Sequence, residues 1–138
     1  MDKINFQNGV TKVNADTFNT FQYNIEKAIN EATTPKKTGI AVGNVVKINK
    51  LAILNISTTE QKNNVANNKA VTLITLATGL RPNANLVVTP VVARDENYAT
   101  IPNCYVILRN TGALEFYQAS GATKNVKQIL GQISYFID

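Results

Sequence analysis

Histidine is absent from the 138 residues, which removes the commonest general base and the commonest metal ligand. Zinc hydrolysis, a His-based triad and haem ligation through histidine all fail on that count. Nine acidic residues remain for acid–base chemistry, and among them only Asp95 and Glu96 are adjacent. Neighbours along an extended chain point to opposite faces, so this pair reads as a solvated turn and not as an acid with its base. The phosphate-cradling motifs G-x-x-x-x-G-K-[ST] and G-x-G-x-x-G and the nucleophile motif G-x-S-x-G do not occur. The single cysteine, Cys104, lies in the apolar run CYVIL. It excludes an internal disulfide and reads as a buried structural thiol. The expectation is a non-enzyme without metal or cofactor.

Charge and length narrow the class further. The formal net charge is +5, which would suit nucleic acid if it were concentrated. It is not: lysines and arginines stand singly, with Lys36-Lys37 the only adjacent pair, and no basic helix or aromatic-basic alternation occurs. A mild positive surface is compatible with an anionic polymer such as the phosphate-bearing glycopolymers of a cell wall. With 44% hydrophobic residues, the chain suits one domain that buries roughly two thirds of its unfolded surface. No apolar run approaches the ~20 residues that a membrane helix needs. The start, MDKINFQNGV, has neither the basic beginning nor the apolar core of a signal peptide. Synthesis in a cytoplasm, without export by the general route and without a membrane partner, is expected.

Two kinds of element follow from the hydrophobic pattern. In NADTFNTFQYNIEKAIN, Asn14 suits a helix N-cap, Asp16 sits where the helix dipole favours negative charge, and Val13 can staple onto Phe18. Thr33-Thr34-Pro35 stops the helix near Ala32, because the residue before a proline is pushed out of the α region. Phe18, Phe21, Ile25, Ala28 and Ala32 recur at 3-4-3-4 spacing, the seam of a coiled coil over about two heptads. From Thr38 onward the period is two. Ile40 and Val42, then Leu51 and Ile53 with Leu54 and Ile56 on the other face, and then Val71–Leu76 read as strands. LVVTPVV, at Leu86–Val92, is another, with Pro90 pushing it toward an edge or a bulge. Cys104–Arg109 and Ala113–Gln118 flank Asn110-Thr111-Gly112, a hairpin loop with glycine for the left-handed position. In the last strand Ile129, Gly131, Ile133, Tyr135 and Ile137 alternate with Leu130, Gln132, Ser134 and Phe136. The polar stretches Thr58–Lys69 and Ser120–Gln128 are expected to be loops. Seven or so strands without helices between them imply a mainly β fold, an antiparallel β-sandwich or jelly-roll-like head behind one short helix. The expected division is 1–37 for the N-terminal segment and its helix, and 38–138 for the head.

The opening INFQNGVTKVNADTFNTFQYNIEKAI resembles an N-terminal segment of phage tail and baseplate proteins of Gram-positive hosts. The second half resembles the heads of phage tail fibres and receptor-binding proteins. There, segments like LATGLRPNANLVVTPVVAR, YVILRNTGALEFY and the terminal ISYFID follow in the same order. The family pattern often has a proline before the glycine of its L-x-G-x-R-P segment, where this chain has Thr78-Gly79-Leu80-Arg81-Pro82, and the long fibre shaft is missing. The resemblance therefore implies a compact baseplate-tip or fibre-head protein of the virion. It also implies a homotrimer, attached through its N-terminal segment to other tail or baseplate proteins.

An isolated helix of this length is marginal in water, so its stripe needs a partner. Three copies about one axis would bury Phe18, Phe21, Ile25 and Ala28; packing on the chain's own sheet is the alternative. A trimeric host-surface binder implies exposed aromatic and polar side chains for a saccharide. Tyr98 in RDENYATIP, with Arg94, Asp95 and Asn97 beside it, is the candidate, the alternative being an ordinary strand-end aromatic. A purely structural tail adaptor, or a trimeric jelly-roll module that binds protein and no glycan, is the other function class.

Overall fold

The computed structural model describes residues 15–59 and 61–138. The chain divides into two compact units with the break between Thr34 and Pro35. In the first, helix α1 spans Ala15–Thr33, with Asp16 in its first turn. The proposed cap Asn14 and staple residue Val13 lie outside the described residues. The last helical bond runs from Thr34 N to Asn30 O at 2.9 Å, and Pro35, which has no amide hydrogen to continue the ladder, follows.

The second unit is built of eleven strands among the described residues: β1 Lys36–Ile40, β2 Gly43–Ile48, β3 Leu51–Thr58, β4 Lys62–Val65, β5 Lys69–Thr75, β6 Leu86–Pro90, β7 Val92–Asp95, β8 Thr100–Ile101, β9 Cys104–Arg109, β10 Ala113–Gln118 and β11 Lys124–Phe136. One sheet runs β1-β2-β3-β11-β7-β8, with β4 also on β11; the other runs β5-β10-β9-β6. All the pairings are antiparallel, and the fold is a β-sandwich. The first strand begins at Lys36, inside the segment expected to belong to the N-terminal piece.

Alternation places the core. Ala52, Leu54 and Ile56 of β3, Val106 and Leu108 of β9, Leu114 and Phe116 of β10, and Ile129, Ile133 and Tyr135 of β11 are all buried. Both sheets supply the same apolar cluster, and its burial is the main stabilising term of the unit. The hairpin at 110–112 forms as its residue types require: Gly112 holds φ +90° and its amide donates to Arg109 O at 2.8 Å. Leu86–Val92 is two strands instead of one. Pro90 ends β6 at the edge of its sheet, and β7 resumes in the other sheet at Val92. Proline has no amide for a ladder bond, so a change of sheet is a cheap place to hold it.

Three expectations need correction. The stretch at 58–69 is not one loop: Thr58 closes β3, Lys62–Val65 forms β4, and Lys69 opens β5. Likewise β11 begins at Lys124, inside the stretch expected to be a loop through Gln128. Within Lys62–Val65 and Lys124–Gln128 one side chain each, Val65 and Val126, is buried, and β4 and β11 pair with each other through the backbone. Val42 is not a strand residue but lies in the turn before β2, where it is buried at 6% exposure. The abundance of asparagine has a structural use: Asn49, Asn64, Asn68 and Asn103 take positive φ values of 54° to 58°, which asparagine tolerates better than most residues.

Candidate functional site

The first candidate is the apolar stripe along α1. Phe18 is 58% exposed, Phe21 38%, Ala28 is exposed and Ile25 half-buried. Tyr23 and Ile29, at 63% and 55% exposure, add apolar surface outside the expected stripe.

The second candidate lies at the turn between β7 and β8, in the β unit. Asp95 organises it. Its Oδ1 accepts from the amides of Asn97 and Ala99, both at 2.9 Å, and its backbone exchanges bonds of 2.9 Å with Ala99 and Tyr98. This is aspartate's usual work in a turn, so Asp95 and Asn97 are explained by local structure before any ligand is considered. Arg94 stands in register with Gln128 of β11 and Thr100 of β8.

Tyr98 is different. It is 56% exposed and holds φ +61°, where a bulky side chain is an outlier. The Lys127 ammonium lies 4.3 Å from the centroid of its ring, a cation–π contact. Tyr98, Lys127, Gln128, Thr58 and Thr59 line a small notch of about 40 Å³. A wider cleft of about 430 Å³ also borders this turn, lined by Asn64, Asp95, Glu96, Thr123, Lys124 and Asn125. Asn125 ties the cleft together: its Oδ1 accepts from Asn64 N at 3.0 Å and its Nδ2 donates to Glu96 Oε2 at 3.4 Å.

Asp95, Asn97 and Tyr98 thus meet at one turn, with Arg94 in the strand that enters it, and the fold brings to this turn residues that sequence neighbourhood could not reveal. Lys124, Asn125, Lys127 and Gln128 come from the beginning of β11, 26 or more positions further along the chain. Only their strand pairing with β4 and β7 delivers them here. The amides, carboxylates and lysine of the polar cleft can orient hydroxyl groups, and the exposed ring of Tyr98 in the separate notch offers a face for an apolar sugar surface.

A third surface was not anticipated. On the outer face of the four-stranded sheet, Leu86 and Val88 of β6 are 49% and 52% exposed. Register sets them beside Arg109 and Ile107 of β9. Tyr105 and Tyr117 pair across β9 and β10 with ring centroids 6.5 Å apart. The charged pair on this face, Arg109 and Glu115, bonds internally at 3.0 Å, which leaves the face apolar in character.

Cys104 is buried, and burial pushes its thiol up to about 11. Its Sγ lies 3.3 Å from Ile101 O, as befits a thiol that packs and does not react. No protein-family profile matches the chain, and no curated protein matches it significantly.

Proposed function

We propose that this chain is a non-enzymatic structural protein of a phage tail tip or baseplate, a homotrimer whose β-sandwich heads bind a saccharide of the host surface. The observation that carries this reading is the helical seam. Apolar side chains at coiled-coil spacing, with Phe18 and Phe21 exposed at 58% and 38%, give three copies a common axis to bury. The phage assignment rests on the order of segments that resembles tail proteins. The saccharide assignment rests on the polar cleft and exposed ring at the β7–β8 turn. In this reading the N-terminal segment attaches to other tail proteins, and the head carries the ligand.

A specific observation favours a second reading. The exposed Leu86, Val88 and Tyr105 form a surface better suited to protein than to sugar, as a structural adaptor would need. The experiment that separates the two is an array of purified cell-wall polymers and glycans probed with the full chain. Saccharide-dependent binding is expected. A chain that binds no glycan but is retained by another tail or baseplate protein supports the adaptor.

A further inference from the structure

Two locally unfavourable features meet in the notch beside the β7–β8 turn. Among the described residues, the other non-glycine positions with positive φ are all asparagines, whereas Tyr98 carries a bulky ring there at φ +61°. Crowding between Cβ and the backbone makes that conformation unfavourable for such a residue. Gln128 lines the same notch, and its amide oxygen is buried without a hydrogen-bond partner in the protein. A buried acceptor without a protein partner is costly to hold. Folding explains neither feature, since glycine at 98 and an apolar side chain at 128 would each suit the free protein better. Strain and open valence gather where a protein binds something.

The chemistry of the notch restricts what it binds. An approaching cation meets the Lys127 ammonium, which also lines the notch. A carboxylate or other group with only acceptor atoms cannot complete an acceptor. A neutral hydroxyl can. A volume of about 40 Å³ admits one group little larger than a water molecule, on the scale of a hydroxyl or hydroxymethyl. The ring face that such a sugar would rest on is the one over which Lys127 now lies at 4.3 Å.

We propose that Gln128 is the specificity-determining residue of this site. A sugar ring displaces the flexible Lys127 side chain from Tyr98, and one neutral hydroxyl of that sugar donates to Gln128 Oε1. The inference rests on the saccharide reading above and adds to it the contact that selects the ligand. Tyr98 is held in its strained turn to present the ring, and Lys127 covers that ring in the free protein.

Ligand-observed NMR titration of the full chain with the methyl glycosides of glucose, galactose and N-acetylglucosamine tests it, alongside thermal melting without sugar. At least one glycoside is expected to bind. Gln128→Met should weaken that binding about tenfold by removing the acceptor, and Lys127→Ala should strengthen it about threefold by uncovering the ring. In the absence of sugar, Gln128→Met and Tyr98→Gly should both melt higher than the wild type. Unchanged binding or a lower melting point in Gln128→Met overturns the role of Gln128 and leaves the saccharide reading intact. Weaker binding by Lys127→Ala overturns the displacement. A wild type that binds none of the three glycosides overturns both this inference and the reading beneath it.

Discussion

The side chain of Gln118 is fully buried, yet each of its polar atoms is used. Nε2 donates to Val65 O at 3.0 Å and Ala122 O at 2.9 Å. Oε1 accepts from Ser120 N at 2.9 Å and Ser120 Oγ at 2.6 Å. One amide thus fastens β4 and the loop after β10 to the core. Gln118→Leu, similar in size, removes all four bonds, and about 3 kcal/mol of stability should be lost in urea unfolding. Gln118 shares the inward face of β10 with Leu114 and Phe116, although its residue type points outward, because an amide is buried only where backbone groups from elsewhere await it. Two other buried groups set the alkaline limit. Burial raises Cys104 from 9.0 to about 11 and Tyr135, whose hydroxyl donates to Leu80 O at 2.7 Å, from 10.0 to about 12. Both are neutral when protonated, so above the unfolded-state values the unfolded chain holds fewer protons than the folded one. Their contribution is complete below pH 9 and is lost as the pH rises through about 11 and then about 12. The melting temperature should fall across that window, and the fall between pH 9 and 11 should shrink in Cys104→Ala.

Among the elements, β11 was the most legible and the most underestimated. Its alternation from Ile129 to Ile137 gave the buried face, and Ile129, Ile133, Tyr135 and Ile137 lie in the core. Its first five residues have no such alternation, because a bulge interrupts the register between Val126 and Gln128. The candidate site suffered from the same gap: Tyr98 and its turn could be named from sequence, whereas Lys127 and Gln128 fell in an assumed loop. The passage between sheets also depends on β11. A Cβ on Gly131 would run into Cγ1 of Val91, the residue linking β6 to β7. The Val91 Cβ is itself only 3.2 Å away, so a rotamer change gives little relief. Gly131→Ala should therefore destabilise the sandwich by about 1–3 kcal/mol, as overpacking does, measured by denaturant midpoint. At the other end of the chain, the capping chemistry at Thr33–Pro35 placed the end of α1 within one residue. If its seam joins three copies, Phe21→Asp sets three carboxylates around one axis. The expected result is dissociation to a lower mass with a β-rich circular dichroism spectrum retained, because desolvation and mutual repulsion together cost several kcal/mol. An unchanged mass and melting temperature would show that the seam is not the interface.

For the whole molecule, the division between Thr34 and Pro35 separates a short helical piece from a sandwich with its own core. Such a division makes sense if the two parts do different work. A shallow sugar site is weak by itself, since hydroxyls exchange water for protein at little net gain. Three such sites on one axis can engage a repeating polymer together, and avidity then exceeds a single site's affinity by roughly two to four orders of magnitude. The fold class was readable because alternation and turn residues are local. The assembly was not, because an apolar stripe reads alike whether a chain buries it against itself or against its copies. The coiled-coil spacing of Phe18, Phe21 and Ile25 along α1 is what favours the copies. Sedimentation equilibrium of the full chain at micromolar concentration tests that claim most directly. One species at three times the chain mass of 15.1 kDa is expected; a species at the single-chain mass would show that the chain is not a trimer.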